Sequence, residues 1–146
     1  MSSEIVIKFL VAAVLAGTPF LFGTVGEILS EKVGHLNLGV EGMMSIGACA
    51  GFMVGYQTDN FVAALLAAAV AGMLSALIYG VLTVTFMANQ NVTGLTLTIF
   101  GVGLANFIGV FMLEKSENGT LKLPDAVTAQ MRNIHIPGLS DMPVVG

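Results

Sequence analysis

The chain has 146 residues, of which 55% are hydrophobic and only 10% charged, with a formal net charge of −4 at pH 7. Average soluble domains carry about 25% charged residues, so an ordinary water-soluble domain is excluded. There is no basic tract, which argues against nucleic acid and polybasic lipid-headgroup partners, and a lone Cys49 excludes an intrachain disulfide or a Cys-rich metal site.

The first predicted span runs over Ile5–Leu29. Its start, with Lys8 before an apolar stretch, has the look of a signal peptide. The apolar character continues through Phe22, beyond a usual signal core, so a retained helix is preferred. Thr18-Pro19 sits in mid-span and is expected to kink or break it, because proline removes one backbone bond and clashes with the preceding turn.

The second span is expected over Leu38–Tyr56, after the polar link Ser30–Asn37. If helical, Asn37, Glu41 and Ser45 share one face. Glu41 is the acidic residue best placed to matter. It either lines a pathway, or caps the helix, or pairs with another subunit, or accepts backbone hydrogen bonds in a Gly-rich turn. Gly39 and Gly42 favour an unwound start, which a membrane protein tolerates only where protein or a cavity covers it. Gly47, Gly51 and Gly55 recur every four residues and predict a packing face.

From Phe61 to Leu113, 53 residues pass without Asp, Glu, Lys, Arg or His. One central charge in a bilayer costs at least ~2.5–3.5 kcal/mol, and about 20 residues suffice for one crossing. Two spans therefore share this run, the third over Phe61–Ala88 and the fourth over Val92–Leu113. The third would be ~42 Å long at about 1.5 Å per residue, so it must tilt or protrude. Asn89, Gln90 and Asn91 form the polar break and are read as a tight turn, with Asn89 and Gln90, like Asn37, Glu41 and Ser45, as candidate pathway or conformational residues. Small residues continue at Gly72, Gly101 and Gly109, which are expected to pack helices together. Thr93, Thr96, Thr98 and Asn106 either bond across helices or face a polar pathway. His35 and His135 have no partners at metal-ligand spacing and are read as solvated.

From Glu114 the composition turns polar and proline-bearing. Residues 114–146 are expected to form a solvent-exposed loop with a short helix near Asp125–Met131, truncated at its end. The expected fold is all-α, a polytopic transmembrane bundle of about four helices over residues 1–113. No catalytic constellation, cofactor motif or phosphate-binding GxxxxGK[ST] is found, so the chain is not read as an enzyme or as an ATPase.

The run Gly34-His35-Leu36-Asn37-Leu38-Gly39-Val40-Glu41-Gly42-Met43-Met44 resembles the permease subunits of bacterial ATP-binding-cassette importers of the branched-chain amino acid and ribose type, most closely their nucleoside and simple-sugar branch. Thr18–Leu21, Ala88–Gly94 and Ile136–Gly146 match that family in the same order. Relatives usually carry a basic residue before the Asn-Gln pair, where this chain has Thr85-Phe86-Met87, and they are about twice as long. The resemblance implies an N-terminal fragment of a multi-pass protein of the plasma (inner) membrane. It also implies three partners: a second permease subunit, a cytoplasmic ATP-binding subunit and an extracytoplasmic solute-binding lipoprotein. It places the 88–91 turn in the cytoplasm, whereas the Lys and Arg distribution points the other way. The competing readings are a small four-helix membrane scaffold and a secondary transporter, though no second copy of the Asn37–Met44 segment is found.

Overall fold

The computed structural model describes residues 3–116 and 119–130. Helix α1 spans Ser3–Lys32, α2 Val40–Thr58, α3 Phe61–Gly80, α4 Gln90–Lys115 and the short α5 Asp125–Gln130; a π-helical turn, Val81–Thr85, continues α3. Among the described residues three helices are long and apolar enough to cross a bilayer: Glu4–Lys32, Phe61–Thr85 and Gln90–Lys115. The molecule is an all-helical membrane bundle.

The fourth long helix of the expected bundle, α2, falls outside those three. Its glycines and Glu41 make it less apolar. It meets this by sitting inside, with Gly42, Gly47, Gly51 and Gly55 buried and α3 and α4 against it. A helix sheathed by other helices needs less lipid-compatible surface of its own.

Two glycine seams hold α2. Toward α3, a Cβ on Gly47 would lie 3.1 Å from the Ala68 carbonyl oxygen, one on Gly51 2.9 Å from the Ala68 Cβ, and one on Gly55 3.2 Å from the Ala64 Cβ. The register descends from 47 beside 68 to 55 beside 64, so the pair is antiparallel. Toward α4 the approach is closer. A Cβ on Gly101 would meet the Gly42 Cα at 2.8 Å, and one on Gly94 the Leu38 nitrogen at 2.8 Å. Here backbone lies on backbone, with no side chain to give way. By contrast, a Cβ on Gly72 or Gly109 meets nothing within 4 Å among the described residues.

Helix α1 runs through Pro19 as one continuous helix, so of the expected kink or break the break does not occur. Proline costs one backbone bond, whereas a full break would leave several groups facing hydrocarbon at several kcal/mol each. The Thr18 hydroxyl donates to the Val14 carbonyl at 2.9 Å, keeping its own polar group inside the helix.

The link after α1 and the link after α3 lie at one end of the bundle, since Leu36 bonds to both Tyr79 and Gln90. At the other end Asp59, at φ 52, turns α2 into α3, and Asn60 caps α3 by accepting from the Val62 and Ala63 amides. The segment 119–130 returns to this second end. Val127 is fully buried, and Leu123 lies against the Gly55 position. This part of the tail is therefore docked, not simply solvent-exposed. The matched stretch Ile136–Gly146 and His135 lie outside the described residues.

Gly42→Ala is expected to cut folded, monodisperse yield in detergent several-fold, because overpacking here costs roughly 1–3 kcal/mol with only backbone to move. Gly109→Ala is expected to leave it unchanged. Size-exclusion yield of the two variants side by side checks this. Val127→Asn is expected to undock the tail, since burying an unpartnered amide costs about 1–3 kcal/mol. Faster tryptic cleavage at Lys122 in membranes is the readout.

Candidate functional site

The residues between α1 and α2 do not form a helix, and their backbone groups find partners on the other long helices. The Leu36 N–H donates to Gln90 Oε1 at 2.8 Å, and the Leu36 carbonyl accepts from the Tyr79 hydroxyl at 2.7 Å. The Asn37 N–H donates to Glu27 Oε1 at 2.7 Å, from α1. The Leu38 carbonyl accepts from the Thr98 hydroxyl at 2.7 Å, from α4. The Gly39 N–H donates to Asn37 Oδ1 at 2.9 Å, an Asx turn that leads into α2. α1, α3 and α4 thus each contribute to one four-residue segment.

Gly39 is what lets the segment lie so close to α4. A Cβ there would stand 3.2 Å from the Leu97 side chain and 3.3 Å from the Gly94 carbonyl oxygen. Thr98 reaches Leu38 only because this approach is short. The unwound start ends at Gly39; Gly42 is helical and serves the crossing with Gly101 rather than an unwound turn.

Beside this segment, between α1 and α2, opens a groove of about 720 Å³. Asn37, Glu41 and Ser45 all line it, although Asn37 is not helical. They come together because the turn at Asn37–Gly39 carries Asn37 to the side of α2 that Glu41 and Ser45 occupy. Glu27 and Glu31 of α1 face them, with Phe20 and Met44 supplying apolar wall. No Lys, Arg or His is among the lining residues.

Asn89 and Gln90 divide in role. Asn89 caps α4, its side chain accepting from the Val92 amide. Gln90 and Asn91 belong to α4 rather than to the expected turn, which lies before them, and Gln90 holds Leu36. Among the threonines, Thr98 bonds to the non-helical link before α2 while Thr96 donates to the Val92 carbonyl of its own helix. His35, expected to be solvated, is half-buried, with Nδ1 shielded from solvent and without a partner among the described residues. No group of three or more metal-ligating side chains occurs among the described residues.

The sequence pattern pointed to Glu41 and passed over Glu27 and Tyr79. Glu27 was visible in principle. It is a carboxylate within an apolar span, and an ionisable residue there marks a functional site by default. Its Oε2 is shielded from solvent and has no partner among the described residues. Tyr79 had no such signal, as tyrosines are common in apolar helices.

Comparisons with known proteins agree on one family. Residues 5–133 match the family of branched-chain amino acid transport system / permease components. The chain is 35% identical over 126 residues to TsgC13 of Haloferax volcanii, provisionally a glucose ABC transporter permease protein, covering 86% of this chain and 38% of that one. It is 33% identical over 141 residues to the guanosine ABC transporter permease protein NupQ of Bacillus subtilis, covering 92% and 42%. It is 29% identical over 136 residues to the nucleoside ABC transporter permease protein NupC of Lactococcus lactis, covering 88% and 40%. The chain thus spans about two-fifths of the length of these relatives. No solved structure gives a significant match. With its helical membrane bundle and a family match over most of its length, the chain belongs to the branched-chain amino acid transport system permease family, a family of transport proteins rather than enzymes.

Proposed function

We propose that this chain is part of the permease subunit of an ATP-binding-cassette importer for nucleoside-like or simple-sugar-like solutes, and that the α1/α2 groove belongs to the solute pathway. The observation that carries the reading is the family match together with relatives named for guanosine, nucleosides and glucose. The chemistry of the groove supports it. Such solutes are neutral and rich in hydroxyl donors. Glu27, Glu31 and Glu41 offer acceptors, Asn37 and Ser45 offer both kinds of group, and Phe20 offers an aromatic face for a base or a sugar ring. The same carboxylates, with no cation among them, repel phosphorylated solutes.

In this reading the permease does no covalent chemistry. A separate ATP-binding subunit supplies the energy, a second permease subunit completes the pathway, and an extracytoplasmic lipoprotein delivers the solute. The permease contributes two helix arrangements whose populations its ligands bias.

The test is uptake by the full-length protein reconstituted with its neighbouring subunits. Labelled guanosine or glucose is expected to accumulate in an ATP-dependent way, with no competition from GMP or leucine. Accumulation of leucine alone would assign the chain to a different solute class. ATP hydrolysis without uptake of any solute would make it a scaffold.

Glu41→Gln is expected to lower uptake about tenfold at unchanged membrane abundance. A hydrogen bond to a charged acceptor is worth about 1.5–3 kcal/mol, and the amide recovers part of it. Glu27→Gln is expected to lower uptake similarly and also to weaken the anchorage of Asn37. The measurement is initial uptake rate normalised to inserted protein, and unchanged rates in both variants would remove the carboxylates from the pathway.

A further inference from the structure

The connection from α3 to α4 has an unusual backbone. In the π-helical turn Val81–Thr85 the Phe86 N–H donates to the Val81 carbonyl at 3.1 Å, and the Ala88 N–H reaches back to the Leu82 carbonyl at 3.0 Å. A π turn closes its hydrogen bond one residue later than an α turn, and such turns cluster at functional sites. Just beyond it Met87 adopts φ 51, a left-handed conformation that is costly for a residue with a Cβ. Met87 is 87% exposed, so packing of its side chain does not offset that cost.

The residues on either side of this turn converge on a single one. Tyr79, just before it, holds the Leu36 carbonyl, and Gln90, just after it, holds the Leu36 N–H. Tyr79 is buried, and Thr83, inside the turn, donates to the Tyr79 carbonyl at 2.8 Å. Leu36 and Asn37 line the groove. A continuous set of hydrogen bonds therefore runs from the turn to the groove wall.

We propose that the π-helical turn is a conformational relay to the groove. Return of Val81–Thr85 to α-helical register shifts the downstream residues by one position, about 100° of rotation at 3.6 residues per turn. Tyr79 and Gln90 then no longer face Leu36 together, and the Leu36–Asn37 wall is released. The hydrogen bonds favour the gripped state and the left-handed Met87 opposes it, which leaves an equilibrium that bound ligands are able to bias. The relay rests on the reading of the groove as a pathway only for its consequence in transport.

The decisive variant is Met87→Gly, at a position that makes none of the hydrogen bonds to Leu36. Glycine removes the cost of φ 51, which favours the gripped state. In the full-length permease with its partner subunits in lipid nanodiscs, amide hydrogen exchange over Leu36–Gly39 is expected to slow roughly five- to tenfold. Tyr79→Phe keeps the ring, loses one grip and is expected to speed that exchange about two- to tenfold. Unchanged exchange over Leu36–Gly39 in Met87→Gly overturns the relay, whatever Tyr79→Phe does. Where the wild type transports, Met87→Gly is also expected to lower the maximal uptake rate, and an unchanged rate removes the relay from the transport cycle. A wild type that transports nothing counts against the importer reading, while hydrogen exchange still decides the relay.

Discussion

Backbone that leaves a helix beside a bilayer must find its hydrogen bonds inside the protein, because hydrocarbon supplies none. The segment Leu36–Gly39 is where this chain meets that demand. Three of its amides and two of its carbonyls are taken up by Glu27, Tyr79, Gln90, Thr98 and its own Asn37. Each partner comes from an element whose position is set elsewhere, so the rest of the bundle has to be right for this segment to exist. The glycine crossing of α2 with α4 arises from the same demand. Thr98 has a short side chain and reaches Leu38 only if the two backbones nearly touch, and Gly42, Gly94 and Gly101 permit that.

The consequence for α1 is mechanical. It makes few contacts with α2, and no residue of its apolar window is fully buried within the described chain. Its side-chain hydrogen bond to the bundle, among the described residues, is that of Glu27 to the Asn37 amide. The other wall of the groove, α2, is wedged between α3 and α4. One wall is therefore fixed and the other is tethered near a single end.

Much of the architecture was legible in the sequence because bilayers and close packing impose simple patterns. The charge-free run and its amide break mark α3 and α4. The stripe at Gly47, Gly51 and Gly55 marks the α3 side of α2, since only a small residue at every fourth position lets Ala64 and Ala68 come so near. The same pattern was less informative at Gly72 and Gly109, where spacing alone cannot say which face meets a neighbour. Gly42 carried two meanings in sequence, an unwound turn or a close crossing, and only the position of Leu97 and Thr98 on another helix separates them.

The candidate site was half legible for a similar reason. Asn37, Glu41 and Ser45 were grouped on the premise of a helix through Asn37. They meet in the groove by a different route, through the Asx turn at Gly39. Glu27 and Gln90 lie ten and more than fifty positions from the backbone they hold. Spacing rules for helices and turns reach only a few residues, so partnerships of that range leave no periodic trace. Such positions show an anomaly of another kind in the sequence: a polar side chain that apolar surroundings should have excluded. Glu27 was such a residue. In a membrane chain the cost of an intramembrane carboxylate is itself the signal, and it outweighs any short motif as a pointer to the site.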